Sequence, residues 1–269
     1  ERFTGRTLAV ATIHGKERVI GPALKVALPL AGWEAIAGVD TDRFGAFSGE
    51  VQRTLSPLEA AIAKARHGAE ISGADLVIAS EGSFGPYPPA PFLSCNEEFL
   101  VLLDMRDGQV FSHRKVFLGP VFGGERCSNR AEVLAFAERM RFPSHHLVVR
   151  PDEQWRAGDQ VIKGIDDAER LREVTEAFFA DQGSCWVETD LRAMANPTRM
   201  QAIAETAAEL AAEIARTCPT CGTCWFRITD TRTGLPCGLC GWPTASIRAQ
   251  IRSCGACGHA QQEPRSDGR

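Results

Sequence analysis

The chain has 269 residues, of which 44% are hydrophobic and 24% are charged, and its net charge is −4. This length suits one large α/β domain or two unequal domains, and the composition excludes a disordered chain and a collagen-like repeat. The longest apolar stretch, residues 19–33, contains Lys25 and two prolines and is too short for a bilayer. We therefore expect no membrane span.

The first 217 residues alternate strand-like and helix-like segments. Apolar runs predict strands at residues 7–14, 33–39, 75–80, 145–150 and 185–189. Helices are predicted to begin near residues 15, 56, 129, 166 and 196. Ser56-Pro-Leu-Glu59 gives the clearest start, with a capping Ser, a Pro at the first helical position and a Glu three residues beyond the cap.

An antiparallel hairpin is predicted from residues 98–104 and 109–118, because the Asp107-Gly108 pair between them favours a tight turn. Strands that alternate with helices favour parallel pairing. The sequence therefore predicts an α/β fold: a mostly parallel sheet flanked by helices, with an added hairpin. We expect this domain to span residues 1–217.

The ten cysteines are distributed unevenly, because seven of them lie between Cys218 and Cys257. Residues 218–269 also contain six arginines and three acidic residues, a net charge of +3, so the first 217 residues carry −7. The opening residues do not resemble a signal peptide, and CxxC spacing is typical of metal sites in a reducing compartment. We expect a cytoplasmic protein with a second domain at residues 218–260 and a disordered tail at 261–269.

Three CxxC pairs, each followed by Gly, predict a C-terminal zinc ribbon. The predicted ligands are Cys218, Cys221, Cys237, Cys240, Cys254 and Cys257. With Cys224 and His259 there are eight donors, enough for two zinc ions; alternatively, one zinc uses two pairs and the remaining thiols are free. We favour the first and last pairs for one structural site. An iron–sulfur cluster is disfavoured, since no fourth cysteine follows Cys224 at the required distance.

Three polar segments at predicted strand ends are candidate ligand sites. The first holds Thr12, His14, Lys16 and Glu17, with Lys16 suited to bind phosphate at a helix start. The second holds Asp42, Glu50, Glu81 and Ser83, of which the three carboxylates are oxygen donors that suit Mg²⁺ with a phosphate compound. The alternative for both is that these side chains are merely solvated or cap a turn.

The third candidate segment packs opposite charges around the predicted start of a helix. It holds Asp190, Arg192, Asn196 and Arg199. The two arginines are suited to clamp an anion. The alternative is an internal Asp–Arg network that fixes the entry of the chain into the helix.

Several segments together resemble an uncharacterised bacterial family with a C-terminal zinc ribbon, described only as a domain of unknown function. They are residues 14–17 (HGKE), 44–50 (FGAFSGE), 73–86 (GADLVIASEGSFGP), 188–193 (ETDLRA), 196–200 (NPTRM) and 234–241 (GLPCGLCG). The resemblance covers nearly the whole chain. It implies no activity, and Cys224 departs from the family's pattern.

The first 90 residues also resemble the Maf and inosine-triphosphate pyrophosphatase group of nucleotide hydrolases. The likeness rests on Thr12 and Lys16 after the first strand, and on residues 60–65 followed by residues 73–82. It implies that Lys16 binds phosphate and that Glu81 holds Mg²⁺.

The hypothesis from the sequence is a metal-dependent hydrolase of a nucleotide or related phosphate compound, carrying a structural zinc ribbon. The catalytic candidates are His14, Lys16, Glu17, Glu81, Asp190 and Arg192. The candidates for substrate binding are Thr12, Asp42, Glu50, Ser83, Asn196 and Arg199. One alternative is a non-catalytic protein whose ribbon binds nucleic acid or a protein; another is redox or transferase chemistry at a cysteine outside the zinc site.

Overall fold

The computed structural model describes residues 2–39, 55–154, 156 and 158–265. The candidate residues Asp42 and Glu50 lie outside these ranges. Within them, the helices are α1 (Glu17–Ala27), α2 (Pro57–Ser72), α3 (Arg130–Arg139), α4 (Ala168–Gln182) and α5 (Pro197–Ala215). None of these helices is both long enough and apolar enough to span a bilayer.

Side-chain caps set the starts of four helices. Ser56 and Glu59 form the predicted capping box of α2. Asn129, Asp167 and Asn196 each accept a backbone hydrogen bond at the start of α3, α4 and α5. The helix starts predicted from these residue types are therefore confirmed to within one residue.

The described strands form three separate sheets. The first contains β1 (Thr7–Ala11), β2 (Gly32–Ala35), β3 (Leu76–Tyr87), β4 (Ala90–Asp104) and β5 (Gln109–Leu118). The second contains β6 (Gly124–Cys127), β7 (Leu147–Arg150), β8 (Ile162–Ile165) and β9 (Cys185–Thr189). The third contains β10 (Arg227–Thr233), β11 (Ile247–Ser253) and β12 (Ala260–Pro264).

The first sheet has the order β2-β1-β3-β4-β5 and is mixed, so the prediction of a mostly parallel sheet is wrong. β1 pairs in parallel with β2 and β3, whereas β3, β4 and β5 pair antiparallel. Short turns join β3 to β4 and β4 to β5, and such turns allow only antiparallel neighbours. The predicted β4–β5 hairpin is present, and β3 extends seven residues beyond the predicted end.

Helices cover both faces of this first sheet. α1 and α5 cover one face, where Leu8, Ile78 and Leu100 pack against Ile203 and Leu210 of α5. On the other face, α2 packs its alanine-rich side on the alternate residues of β1, β3 and β4. These residues alternate between the faces because successive strand side chains point in opposite directions.

The second sheet has the order β6-β9-β7-β8, and all of its pairings are antiparallel. With α3 and α4 it surrounds a separate core that includes Val149, Val187 and Phe136. β7 and β9 were predicted as strands, but their place in a second sheet was not. The described part of the region predicted as one α/β domain thus contains two sheets, the first with a core on each face and the second with its own core.

The third sheet is the ribbon, with the order β10-β11-β12. The expected tail at 261–269 is wrong for residues 261–264, because they pair with β11 in β12. Arg252 of β11 fastens the ribbon to α5, with Nη1 2.7 Å from Glu213 Oε2 and Nε 2.9 Å from Glu263 Oε2.

Candidate functional site

Four ribbon cysteines converge on one point. The thiol sulfurs of Cys218, Cys221, Cys254 and Cys257 lie within 4.8 Å of one another. Cys218 Sγ is 3.7 Å from Cys257 Sγ, and Cys221 Sγ is 3.6 Å from Cys254 Sγ. A tetrahedral zinc with bonds of about 2.3 Å places its sulfurs about 3.8 Å apart. The cluster therefore fits one zinc ion, held by the first and last CxxC pairs as favoured from the sequence.

The other predicted donors lie outside this cluster. Among the described residues, no group of three or more metal donors includes Cys237, Cys240, Cys224 or His259. The His259 ring stacks on Phe226 with 5.8 Å between ring centroids. Cys224 packs against the core of the first sheet, and this burial raises the pKa of its thiol.

A second site lies where β1 ends beside β3. β2 and β3 lie on opposite sides of β1 in the sheet. The strand order therefore changes direction at β1, and ligands of open α/β sheets bind at such points. Here the turn from Thr12 to Lys16 meets the middle of β3. Lys16 is buried, and its Nζ donates a 3.0 Å hydrogen bond to Ser80 Oγ. Thr12 Oγ1 accepts the backbone N–H of His14 at 3.1 Å.

Two further buried cations lie on opposite faces of this part of the sheet. Lys64 of α2 forms an ion pair with Glu81 of β3. Arg199 of α5 forms one with Glu98 of β4, with 2.9 Å between Nε and Oε1. Arg199 also donates to the carbonyl of Leu191. Each predicted site residue here, Glu81 and Arg199, thus has a buried partner of opposite charge.

The residues of the third candidate segment contact one another, as the interpretation of an internal network expects. Arg192 Nη2 lies 2.6 Å from Asp190 Oδ2, and the same carboxylate accepts the backbone N–H of Gly164 at 3.1 Å. Asn196 accepts the backbone N–H of Arg199 at 2.9 Å and so caps α5. These contacts fix the entry into α5 and with it the position of Arg199.

The pKa shifts show that the cations share one neighbourhood. Burial, and then the charges of Arg199 and Lys64, lower the pKa of Lys16 to about 7. Burial, followed by Lys16, Arg199, Arg192 and Lys64, lowers the pKa of His14 to about 3. We call Lys16, Lys64, Arg192 and Arg199 the cation cluster. At neutral pH His14 is therefore neutral, and the ammonium form of Lys16 is destabilised.

A cleft of about 460 Å³ opens beside Arg199. Its lining includes Phe84, Asn96, Phe117 and Arg199. Asn96 is buried, and its Oδ1 receives no hydrogen bond from the described residues. The cleft thus combines a cation, two aromatic rings and a hydrogen-bond acceptor. A smaller cleft of about 220 Å³ is lined by Lys163, Glu188, Asp190 and Arg192, among others.

Two predicted residues lie apart from these contacts. Glu17 begins α1 and is 3.7 Å from Arg18. Ser83 is half-buried on β3, opposite Glu97 of β4. Neither residue is among the groups that shift the pKa of Lys16 or His14 most strongly.

The predicted Mg²⁺ site gains no support from the described acidic residues, none of which belongs to a group of three or more metal donors, and Asp42 and Glu50 lie outside the described ranges. Glu81, Glu98 and Asp190 each pair with a cation, and the cysteine cluster is the one group of three or more donors within the described ranges. Mg²⁺ binds several oxygen ligands, and carboxylates already neutralised by lysine or arginine suit it poorly.

Four residues of the site were not predicted. They are Lys64, Ser80, Asn96 and Glu98. A signal for Lys64 exists in the sequence, because it is the one charged residue on the buried alanine side of α2. Glu98 likewise lies two residues before Leu100 and four before Leu102, on the apolar face of its strand. A charged residue that falls on the buried face of a helix or strand is therefore a sequence signal for a candidate site residue.

A family model described as "Domain of unknown function (DUF6671)" matches residues 64–265. No curated protein and no solved structure matches the chain. The likeness to the Maf and inosine-triphosphate pyrophosphatase group therefore finds no support in these comparisons.

Proposed function

We propose a function for this chain, which belongs to the DUF6671 family: it binds a nucleotide-like phosphate compound at the cation cluster and hydrolyses it. The observation that carries the proposal is Lys16. It is buried, with its pKa lowered to about 7, and its side chain contacts a hydroxyl instead of a carboxylate. A bound phosphate would supply the missing negative charge.

The balance of charge at the site supports an anionic ligand. Three cations, Lys64, Arg192 and Arg199, pair with three carboxylates, and Lys16 adds one positive charge when protonated. Burying an ammonium group without a counter-ion is unfavourable, which is why burial lowers its pKa. A phosphate oxygen near Lys16 would relieve this penalty and raise the pKa again.

The side chains that line the larger cleft favour a nucleotide over inorganic phosphate as the ligand. The rings of Phe84 and Phe117 can contact a base, and Asn96 Oδ1 can accept a hydrogen bond from a ribose hydroxyl or an exocyclic amine. Arg199 lies with its guanidinium 5.7 Å from the centre of the Phe84 ring. A ligand with an aromatic end and an anionic end matches this arrangement.

The proposed reaction is attack of water on phosphorus with loss of a phosphate leaving group. Negative charge spreads over the phosphoryl oxygens and the leaving oxygen, and fixed cations lower the barrier by neutralising it. Lys16 and Arg199 have this role in the proposal. Asp190 and Asn196 hold the chain that positions Arg199 and are positioning residues. The zinc ribbon is structural, because four thiolates leave no open position on zinc.

The test is calorimetric titration with ATP, ADP, pyrophosphate and inorganic phosphate, together with an assay of phosphate release. Because bound phosphate raises the pKa of Lys16, we expect uptake of close to one proton on binding at about pH 8. Lys16→Met should abolish both binding and proton uptake. Lys25→Met, an exposed change on the same helix, should leave both intact.

Failure of every compound to bind, or unchanged binding by Lys16→Met, would refute the anion site. Binding without phosphate release would refute hydrolysis and leave a ligand-binding protein.

The alternative, a ribbon that binds nucleic acid or a protein, stays a prediction. Its net charge of +3 includes Arg252, which is already paired with Glu213 and Glu263. Salt-sensitive retention of the chain on nucleic acid would favour it over the hydrolase. In either case we place the protein in the cytoplasm, because free thiols and thiolate zinc sites persist where the environment is reducing.

A further inference from the structure

The third CxxC pair, Cys237–Cys240, forms a turn like those of the zinc cluster. Cys237 N–H donates to the carbonyl of Trp242 at 2.8 Å, and Gly241 N–H donates to the carbonyl of Cys237 at 2.8 Å. The same two bonds recur around Cys218 and around Cys254, at 2.8 to 3.0 Å. A Gly with φ between 72° and 74° follows the second cysteine in all three turns. The backbone at Cys237–Cys240 is therefore shaped to offer two thiolates to a metal.

This turn is too far from the zinc cluster to share its metal. It lies in the connection between β10 and β11, whereas the cluster follows the other end of β11 at Cys254. Seven-residue strands separate the two ends by about 20 Å. Within the described ranges, no third donor joins the pair. The turn is thus half of a four-thiolate site.

The surface around the turn is uncharged and partly apolar. No residue from Thr233 to Ile247 carries a charged side chain. Leu239 is 96% exposed and Trp242 is 76% exposed. When two copies meet about a two-fold axis, residues close to the axis face their own counterparts, so a charge at the tip of this turn would meet a like charge. A neutral tip with two exposed apolar side chains avoids that repulsion and gains from burial.

We propose that Cys237 and Cys240 of two copies of this chain bind one zinc ion between them and so link a homodimer. The cysteine cluster within each chain already brings two such turns together at the spacing of one metal site, and a two-fold axis would repeat that arrangement with two identical turns. Four thiols release four protons as Zn²⁺ binds, giving a tetrahedral site with no redox change. Leu239 and Trp242 of each copy cover the metal from solvent.

The proposal is tested on the full chain by measuring zinc content and mass together. The protein is loaded with zinc, freed of loosely held metal by gel filtration, and examined by sedimentation equilibrium and metal analysis. We expect a dimer with about 1.5 zinc ions per chain, since each chain holds one ion and shares another. The double variant Cys237→Ser/Cys240→Ser should be a monomer with about one zinc per chain.

Cys224→Ser is the matched control, because it removes a thiol outside both sites and should keep the dimer and its zinc. A wild-type monomer with one zinc per chain would overturn the proposal, and so would a dimer that persists in the double variant. Two zinc ions per chain would also overturn it, since each turn would then have its own metal. An internal Cys237–Cys240 disulfide, visible as loss of two reactive thiols without dimerisation, is likewise a contradictory result.

Discussion

Gly82 of β3 lies against the guanidinium of Arg199, close enough that a Cβ atom at Gly82 would be 2.4 Å from Arg199 Nη2. The same atom would be 2.9 Å from Glu98 Oε1. Since Arg199 and Glu98 are both buried, neither can move aside into solvent. Because Gly82 has no side chain, the buried Arg199–Glu98 ion pair can lie directly against β3 at this position.

Gly82→Ala should destabilise the protein by about 1–3 kcal/mol, the usual penalty for forcing extra volume into a packed interior. Urea denaturation followed by circular dichroism measures the change. Gly85→Ala is the control on the same strand, because a Cβ there meets no atom within 4 Å. Equal effects from the two variants would contradict the close contact with Arg199.

Acid should destabilise the fold through His14. Its pKa falls from 6.5 in the unfolded chain to about 3 in the folded protein, so between these values the unfolded state binds more protons. Stability from this group is present above pH 6.5 and is lost as the pH falls, by up to about 1.4 kcal/mol per pH unit. The free energy of unfolding should fall more steeply from about pH 7 to pH 5 in the wild type than in His14→Gln. Parallel pH profiles would count against a buried, neutral His14.

Loss of one cluster thiol should remove the ribbon's zinc. In Cys218→Ser three thiolates remain, and we expect the variant to bind one zinc ion less per chain and to expose the ribbon to proteases. Cys224→Ser makes the same chemical change six residues away and should retain its zinc. Metal analysis with limited proteolysis distinguishes them. Zinc retention by Cys218→Ser would show that the metal is held elsewhere.

Removing Arg252 should loosen the ribbon from α5. Arg252→Met removes the cation of Glu213 and leaves Glu263 with only Arg216, 3.6 Å away, which we expect to cost about 1–3 kcal/mol because both carboxylates keep some access to water. Arg248→Met, an exposed change on the same strand, should have little effect. Hydrogen exchange of β11 and of the end of α5 measures the loosening. An unchanged exchange rate in Arg252→Met would refute this role.

Local signals in the sequence predicted local structure well. Capping residues such as Ser56 and Asn196 identified helix starts, because a cap depends on neighbours three residues away. Strand pairing was harder to predict, since it depends on which distant segments meet. The apolar runs predicted as strands at 145–150 and 185–189 looked like further strands of one parallel sheet, yet the strands found there pair antiparallel in a second sheet. Alternation along a strand does not identify its partner.

Only part of the candidate site was predicted, again because local signals do not identify distant partners. Lys16 follows a recognisable strand and Arg199 a recognisable helix cap, whereas Glu81 was expected at a strand end and lies inside β3. The partners of Glu81 and Arg199 were not foreseeable, because Lys64 and Glu98 come from different elements and meet them only in the folded chain. Among the cysteines, the spacing identified all three turns, and the favoured pairing of the first with the last agrees with the cluster.

One helix carries both a residue of the cation cluster and the residue that holds the ribbon, and this constrains its length. α5 holds Arg199 near its first turn and Glu213 near its last, within 19 residues. Each residue of an α-helix turns the chain by about 100°, so inserting or deleting a single residue between them would rotate Glu213 away from Arg252 while Arg199 stayed in place. We therefore expect natural relatives to vary the exposed side chains of α5 freely but to preserve the number of residues between these two positions.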